Sequence, residues 1–378
     1  MVSAVGPPEV TPAAFERSLR SDTADAPLVL DVRDSGDTAA WPAPVDAARR
    51  LEIPLPALDA DAVALVRERV GETPVLAVCG RGNRSQEATA LLRAAGVEAA
   101  SLEGGMAAWG RLLTPEVVVA VDGMVVLQLR REARGCLGYL LVAGTEAMAV
   151  DPTGDIAEYV RQADRYGARI VTVMDTHVHA DHVSGAVRLA RTVSARLLVA
   201  EPALARGLDL ADATVMRDGD ELAVGSATVA VLSLPGHTTD MTGIVLPHRA
   251  GVIGGDSLFA DAVARPDLQS GDAGAAAAAA VLHETLHERL LPLGDSCVLL
   301  PGHYPGGRRA GPVRATLGEL LDRLPLLGLA QPAFVAGVLA DMPPRPANHE
   351  AIIAGNLVGD DSEADRLEIG VNGCAAGG

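Results

Sequence analysis

From the start of the chain to about residue 113, short apolar runs alternate with segments of helical spacing. LVLDVRD (28–34) and PVLAVCG (74–80) are compact, β-branched and end in polar loops. SQEATALLRAAG (85–96) places Ala88, Leu91, Leu92 and Ala95 at helical intervals, and LEGGMAAWGRLLTP (102–115) supplies a glycine turn, a short helix and a proline. Strand, loop and helix in this rhythm predict a small α/β domain with a mainly parallel sheet over residues 1–113.

A different pattern begins at Val117, where VVVAVDG, MVVLQLR, GYLLVAG and AMAVDP follow one another across tight turns as predicted strands. A helix over about 155–167, a strand over 169–175 and a helix beginning near Val183 come next. Further strands are predicted near 220–233, 243–247, 250–254 and 297–301, with a long helix near 273–291. Strand-rich halves interleaved with helices predict a sheet-on-sheet core covered by helices over 114–358. The polar, glycine-rich residues 359–378 read as a flexible tail, and Cys374 within it as incidental.

Composition narrows the chemistry. A chain of 378 residues that is 49% hydrophobic has the length for two cores. Net charge is −18, and every one of the 31 cationic residues is Arg. Lysine Schiff-base chemistry is thereby excluded, and no basic run exists to track nucleic-acid phosphates. The four cysteines stand far apart with no CxxC pair, which points to a reducing compartment without a disulfide framework. No secretory leader pattern opens the chain, and the longest uncharged apolar run, AGAAAAAAVL (273–282), is half a membrane span. The expectation is a cytoplasmic protein with no membrane or nucleic-acid partner; homodimer formation is left open.

The loop CGRGNRS (79–85) sets a thiol between a strand and a helix. Loop amides and the helix N-terminus direct partial positive charge at the sulfur and favour the thiolate, while Arg81 and Arg84 add cationic donors for a sulfur oxyanion. Read as a nucleophile rather than a buried small hydrophobe, Cys79 would be the reactive residue. Cys79 to Arg84 with its Cys-x4-Arg spacing, DVR at 31–33 and the LEGGMAAW ending resemble the rhodanese family. The resemblance implies that Cys79 accepts a sulfane sulfur as a persulfide, from thiosulfate or another donor, and passes it to a thiol. Gly80 stands where many members carry a side chain, and Asp31 and Arg33 read as structural partners of the loop.

The second domain carries TVMDTHVHADHVSG (172–185), in which Asp175, His177, His179, Asp181 and His182 crowd the end of an apolar run. Period-two alternation in an extended stretch places His177 and His179 on one side. His237 in LPGHTTD, Asp256 in IGGDSLF and His303 in LPGHYPG each follow an apolar strand and a glycine hinge. Imidazoles and carboxylates suit zinc or iron, and no thiolate is expected in the set. HETLH (283–287) matches a zincin pattern, but Leu282, Leu286 and Leu290 make it one face of an ordinary helix, with His283 and His287 at its surface. His248 and His349 have no such context.

Residues 117–358 resemble the metallo-β-lactamase superfamily, whose HxHxDH, His, Asp, His series matches the positions just named. The resemblance implies an αββα sandwich following the rhodanese-like α/β domain. It also implies one of two centres. Two zinc ions, or a mixed zinc–iron pair, would be held by His177, His179, His237 and Asp256 and by Asp181, His182, Asp256 and His303, as in glyoxalase II-like thioester hydrolases. Alternatively one ferrous ion would be held by His177, His237 and Asp256, with His179, Asp181, His182 and His303 orienting the ligands. THVHADHVSG, GCLGYLLV and ARPDL (264–268) resemble the persulfide dioxygenase subgroup, with Arg265 and Asp267 at its Arg-x-Asp positions. Arg265 and Tyr304 are thereby the expected substrate-binding residues. In two places the chain departs from the subgroup: Tyr304 follows His303 directly, and Asp240 replaces a usual Gly. The expected activity is oxidation of a small thiol persulfide by dioxygen to sulfite, coupled to sulfur transfer through Cys79. A thioester hydrolase and a sulfur relay or sensor without turnover are the alternatives.

Overall fold

Strands buried along their whole length suit a parallel sheet covered on both faces, and Leu28–Asp31 and Val75–Val78 are buried at every position. They are described here from a computed structural model, which covers residues 7–20, 26–210, 212–304, 311–340, 342–346, 348–368 and 375–376. The first unit ends at Leu112. Its sheet runs in the order Glu9–Val10, Ala99–Leu102, Val75–Val78, Leu28–Asp31, Arg50–Glu52, and every pairing is parallel. Val66, Leu92, Leu30 and Ala77 pack together between the sheet and the Ala60–Val70 and Asn83–Ala94 helices. Cys79 lies one residue beyond the carboxyl end of the central strand, where open parallel sheets bind ligands.

The second unit begins at Leu113 and contains a seven-stranded and a six-stranded sheet. Alternation decides which side chains meet. Val126, Tyr139, Leu141, Val150 and Met174 of the first sheet face Val224, Val229, Val231, Ile244, Ile253 and Leu300 of the second in one buried cluster. The first sheet's opposite face packs on helices Ile156–Arg165 and Ala186–Val193 through Tyr159, Ala163, Leu189 and Ala190. The second sheet's opposite face packs through Val252 and Leu299 on Leu282, Leu286, Leu290, Phe334 and Val338. Helix, sheet, sheet, helix is the layering expected. Among the described residues, no helix is long and apolar enough to cross a membrane.

Three local expectations are corrected. The helix expected near Val183 begins at Ala186, because the amides of Val183, Ser184 and Gly185 donate to Glu368, Asn356 and the Pro152 carbonyl instead of being left for a helix start. Strands Arg196–Ala200 and Thr214–Met216 extend the first sheet and have no counterpart in the expected elements. Residues beyond 359 are not all tail: the Ala364–Leu367 helix is followed by a buried Glu368, and Ala375–Ala376 pairs with Val263–Ala264. Cys374 lies outside the described residues.

The apolar stripe of the long helix gives a direct test of this layering. Leu282 is fully buried against the second sheet. Leu282→Ala is expected to destabilise the second domain by about 2–5 kcal/mol, read as a lower denaturant midpoint for that domain's transition.

Candidate active sites

In the first domain the Cys79 sulfur sits in a cradle of donors. The Gly82 and Ser85 amides approach it at 3.1 and 3.4 Å, and the Ser85 hydroxyl lies 3.3 Å away. Burial alone pushes this thiol up; the Ser85 hydroxyl and the Ser85, Arg81 and Gly82 amides outweigh burial and hold it below its ordinary value. Ser85 is itself placed by the Gly82 carbonyl at 2.8 Å and by the buried Ser101 hydroxyl at 2.9 Å. A Cβ at Gly105 would overlap the Cys79 carbonyl, so this glycine permits the loop to close against the Gly105–Arg111 helix. Arg81 is exposed, and Arg84 binds Asp34 at 3.1 Å. Both border the loop without touching the sulfur by side chain. Asp31 and Arg33 form a buried bidentate pair with each other, and Arg33 also donates to the Trp41 carbonyl at 2.6 Å.

In the second domain, residues 176–185 form neither strand nor helix. Side chains from distant elements take up their backbone groups instead. Asp151 accepts from the Thr176 amide and Asp240 from the Val178 amide, at 2.6 and 2.8 Å. Asn356 donates to the His179 and His182 carbonyls and accepts from the Ser184 amide, all at 2.9 Å. Arg134 donates to the Asp181 carbonyl, and Glu368 accepts from the Val183 amide while paired with Arg131. Asp240, the departure noted above, is thus a brace for the histidine loop, anchored in turn by Arg206.

The ring orientations follow from these partners. Thr176 donates its hydroxyl to Asp151, so it accepts from His177 Nδ1–H at 3.0 Å and leaves Nε2 with a bare lone pair. A carbonyl only accepts, so His237 Nδ1–H donates to the Arg265 carbonyl at 2.7 Å and its Nε2 is bare as well. These two nitrogens lie 3.9 and 3.6 Å from Asp256 Oδ2, and none of the three buried atoms has a hydrogen-bond partner. Burial, followed by the neighbouring imidazoles His179 and His237, holds His177 well below its usual range; burial likewise lowers His237. Unprotonated imidazoles beside a carboxylate are a donor set for a cation. Gly302 is required beside them, since a Cβ there would overlap Asp256 Oδ1.

His179 and His177 are neighbours, with ring centroids 4.2 Å apart. His179 Nε2–H donates to Asp151 at 3.1 Å, leaving Nδ1 without a partner. Asp181, His182 and His303 assemble into a second cluster, and there an expectation fails. The thiol of Cys136 joins them, all four donor atoms lying within 4.8 Å of one another. The residues expected to contact substrate have other occupations. Arg265 is 1% exposed and pairs bidentately with Asp267 at 2.7 and 3.0 Å, while its third nitrogen donates to Pro344. Tyr304 is buried and donates to Glu132 at 3.0 Å. His283 and His287 lie half-buried with rings 4.2 Å apart, and no further donor groups with them among the described residues.

Sequence reasoning did not find Cys136, Asp151, Asn356, Glu368, Ser85 or Ser101 as site residues. Only Cys136 and Ser85 carried a signal, since both stand inside motifs already singled out.

Comparison with known proteins matches residues 11–112 to the rhodanese-like domain and residues 131–303 to the metallo-beta-lactamase superfamily. The mitochondrial persulfide dioxygenase ETHE1 of Bos taurus is 28% identical over 243 residues, covering 62% of this chain and 88% of that protein. The hydroxyacylglutathione hydrolase of Anaeromyxobacter dehalogenans (strain 2CP-C) is 33% identical over 138 residues, covering 36% of this chain and 51% of the relative. Among solved structures, ETHE1 from Myxococcus xanthus superposes with a TM-score of 0.54 at 26% identity, over 62% of this chain and 98% of that one.

Two outcomes are expected. Ser85→Ala removes the hydroxyl's hydrogen bond to the thiolate while keeping the amide's, so alkylation of Cys79 at neutral pH is expected to slow roughly tenfold and its pH midpoint to rise; pH-dependent iodoacetamide labelling measures both. Asn356→Ala frees three backbone groups of the histidine loop and is expected to weaken metal binding by roughly 10–100-fold with unchanged circular dichroism, measured by chelator competition.

Proposed function

As a member of the metallo-beta-lactamase superfamily with a rhodanese-like domain before the metal domain, this chain is one for which we propose a sulfane-sulfur oxidising function. The carrying observation is the trio His177 Nε2, His237 Nε2 and Asp256 Oδ2, buried, without partners and gathered on one point. Two imidazoles and one carboxylate leave part of a cation's coordination sphere open, which suits ferrous iron in oxygen chemistry. Iron held there would supply dioxygen activation. The net reaction is RSSH + O2 + H2O → RSH + SO3²⁻ + 2 H⁺, in which the terminal sulfur is oxidised and dioxygen reduced.

The protein's own contributions follow from the geometry. Thr176 and the Arg265 carbonyl hold the two rings in the tautomer that offers Nε2. His303 Nδ1 lies 2.6 Å from Asp256 Oδ1 and keeps the other carboxylate oxygen free for the cation. Arg265 acts through its backbone and its Asp267 pair, as an organiser of the pocket. In the first domain the Cys79 thiolate attacks the outer sulfur of thiosulfate, releasing sulfite and forming a persulfide. An acceptor thiol then takes that sulfur, yielding RSSH and restoring the thiolate. This supplies the substrate of the metal domain. The likeness to persulfide dioxygenase ETHE1 supports the same reading.

One observation favours a second reading. His179 Nδ1 is also bare and its ring stands 4.2 Å from that of His177; drawn in as a fourth donor, it would suit a zinc-filled, water-activating centre of a thioester hydrolase. The test is anaerobic loading of the full chain with ferrous iron, followed by oxygen uptake on glutathione persulfide. Uptake with sulfite release is expected, falling at least roughly a thousandfold in His237→Ala, while Cys79→Ser loses thiosulfate sulfurtransfer and keeps oxidation of supplied persulfide. Iron bound without uptake overturns the dioxygenase reading.

A further inference from the structure

Beside the histidine loop lies a crevice of about 540 Å³. Its walls come from the end of the Arg196–Ala200 strand, the Glu201–Ala205 helix that follows, the Ala186–Val193 helix, and Gly359 beyond the His349–Val358 helix. Leu198, Val199 and Ala203 are buried and line its depth, while half-buried Val187 and Leu208 stand nearer solvent. His177 and Val178 close it on the side of the loop. His177 thus belongs to two places, since its Nε2 also gathers with His237 and Asp256.

The polar groups on these walls are mostly spent on the protein itself. Asp240 gives its two oxygens to Arg206 and the Val178 amide. Asn356 serves the loop at His179, His182 and Ser184, and the Ser184 hydroxyl donates to Asp175. What is left for an occupant is largely aliphatic surface. Apolar cavities hold water poorly and take up small apolar guests such as xenon. The carboxylates of Asp175 and Asp360 flank the crevice in a chain of net charge −18, so an anion such as a persulfide or sulfite is disfavoured there. A neutral diatomic gas meets neither obstacle. We propose that this crevice is the entry route and holding site for dioxygen, which passes His177 to reach the metal centre while the anionic persulfide arrives from another side. The proposal rests on the dioxygenase reading above. Separate entrances mean that bound persulfide does not block the gas.

The test uses the full chain. Crystals under xenon pressure are expected to hold xenon against Leu198 and Ala203, and to lose it in Ala203→Phe. Iron-loaded Ala203→Phe, and Val187→Phe as a second closure nearer the mouth, should raise KM for dioxygen roughly tenfold with KM for glutathione persulfide unchanged. Anaerobic stopped-flow mixing of the ferrous protein with nitric oxide, a neutral diatomic probe, should show association slowed by a similar factor. Circular dichroism and ferrous iron content identify the variants that are folded. Water alone in the crevice under xenon, or gas kinetics unchanged in a folded variant, overturns the proposal. So does a persulfide KM that rises together with that for dioxygen, because one opening would then serve both. If neither parent nor variant consumes dioxygen while xenon binds and nitric oxide is slowed, the dioxygenase reading falls and the gas route stands.

Discussion

The metal domain depends on ten residues that adopt no regular structure. Between Thr176 and Gly185 the chain bends through a buried region, where an unpaired amide or carbonyl costs about 1–3 kcal/mol. Asp151, Asp240, Asn356, Arg134 and Glu368 take up those groups from sites before and after the loop in the chain. Each brace is a buried carboxylate, amide or guanidinium side chain, and two of them are paired in turn, Asp240 with Arg206 and Glu368 with Arg131. The histidine rings are oriented because their backbone cannot move. A helix or strand would satisfy these groups locally, but it would impose a regular side-chain period. Irregular backbone lets His177 gather with His237 and Asp256 while Asp181 and His182 gather with Cys136 and His303.

The same arrangement answers an electrostatic difficulty. The imidazoles of His177, His179, His182, His237 and His303 and the carboxylates of Asp181 and Asp256 sit almost without solvent in this region, and isolated buried charges are costly. The carboxylates of Asp181 and Asp256 are held low against the desolvation that would raise them, chiefly by His303 lying between the two. His303 is correspondingly raised well above its ordinary range by Asp181 and Asp256, against its own burial. Charge is thereby compensated on one side of the pocket, and His177 and His237 are left neutral on the other. Neutral rings and an ionised carboxylate are what a cation needs.

The rhodanese-like domain solves a smaller version of the same problem with hydrogen bonds in place of charge. Its sulfur is buried, yet amides of one loop turn and a serine hydroxyl favour the thiolate. Among the described residues, no side-chain cation is hydrogen-bonded to it. The arginines of the loop lie at its border, where they meet solvent and Asp34. The thiolate is thus favoured by backbone geometry, and Gly82 allows the loop to approach the Gly104 amide closely.

Layer order and the parallel sheet of the first domain were legible along the chain because each rests on local periodicity, whereas His177, His237 and Asp256 were named as one set through the family resemblance of their motifs. Burial on one face must repeat every second residue in a strand, and Gly302 beside Asp256 leaves no room for a side chain. The Leu282, Leu286 and Leu290 stripe was legible for the same reason. Folding alone decided what stands across from what. Cys136 meets His303 through a strand register, Asn356 meets His182 across 174 positions, and Arg265 turns its guanidinium inward to Asp267. Hydrogen bonds and cation ligands are short-ranged and directional, so they are settled only when the sheets close and bring distant residues within about 3 Å.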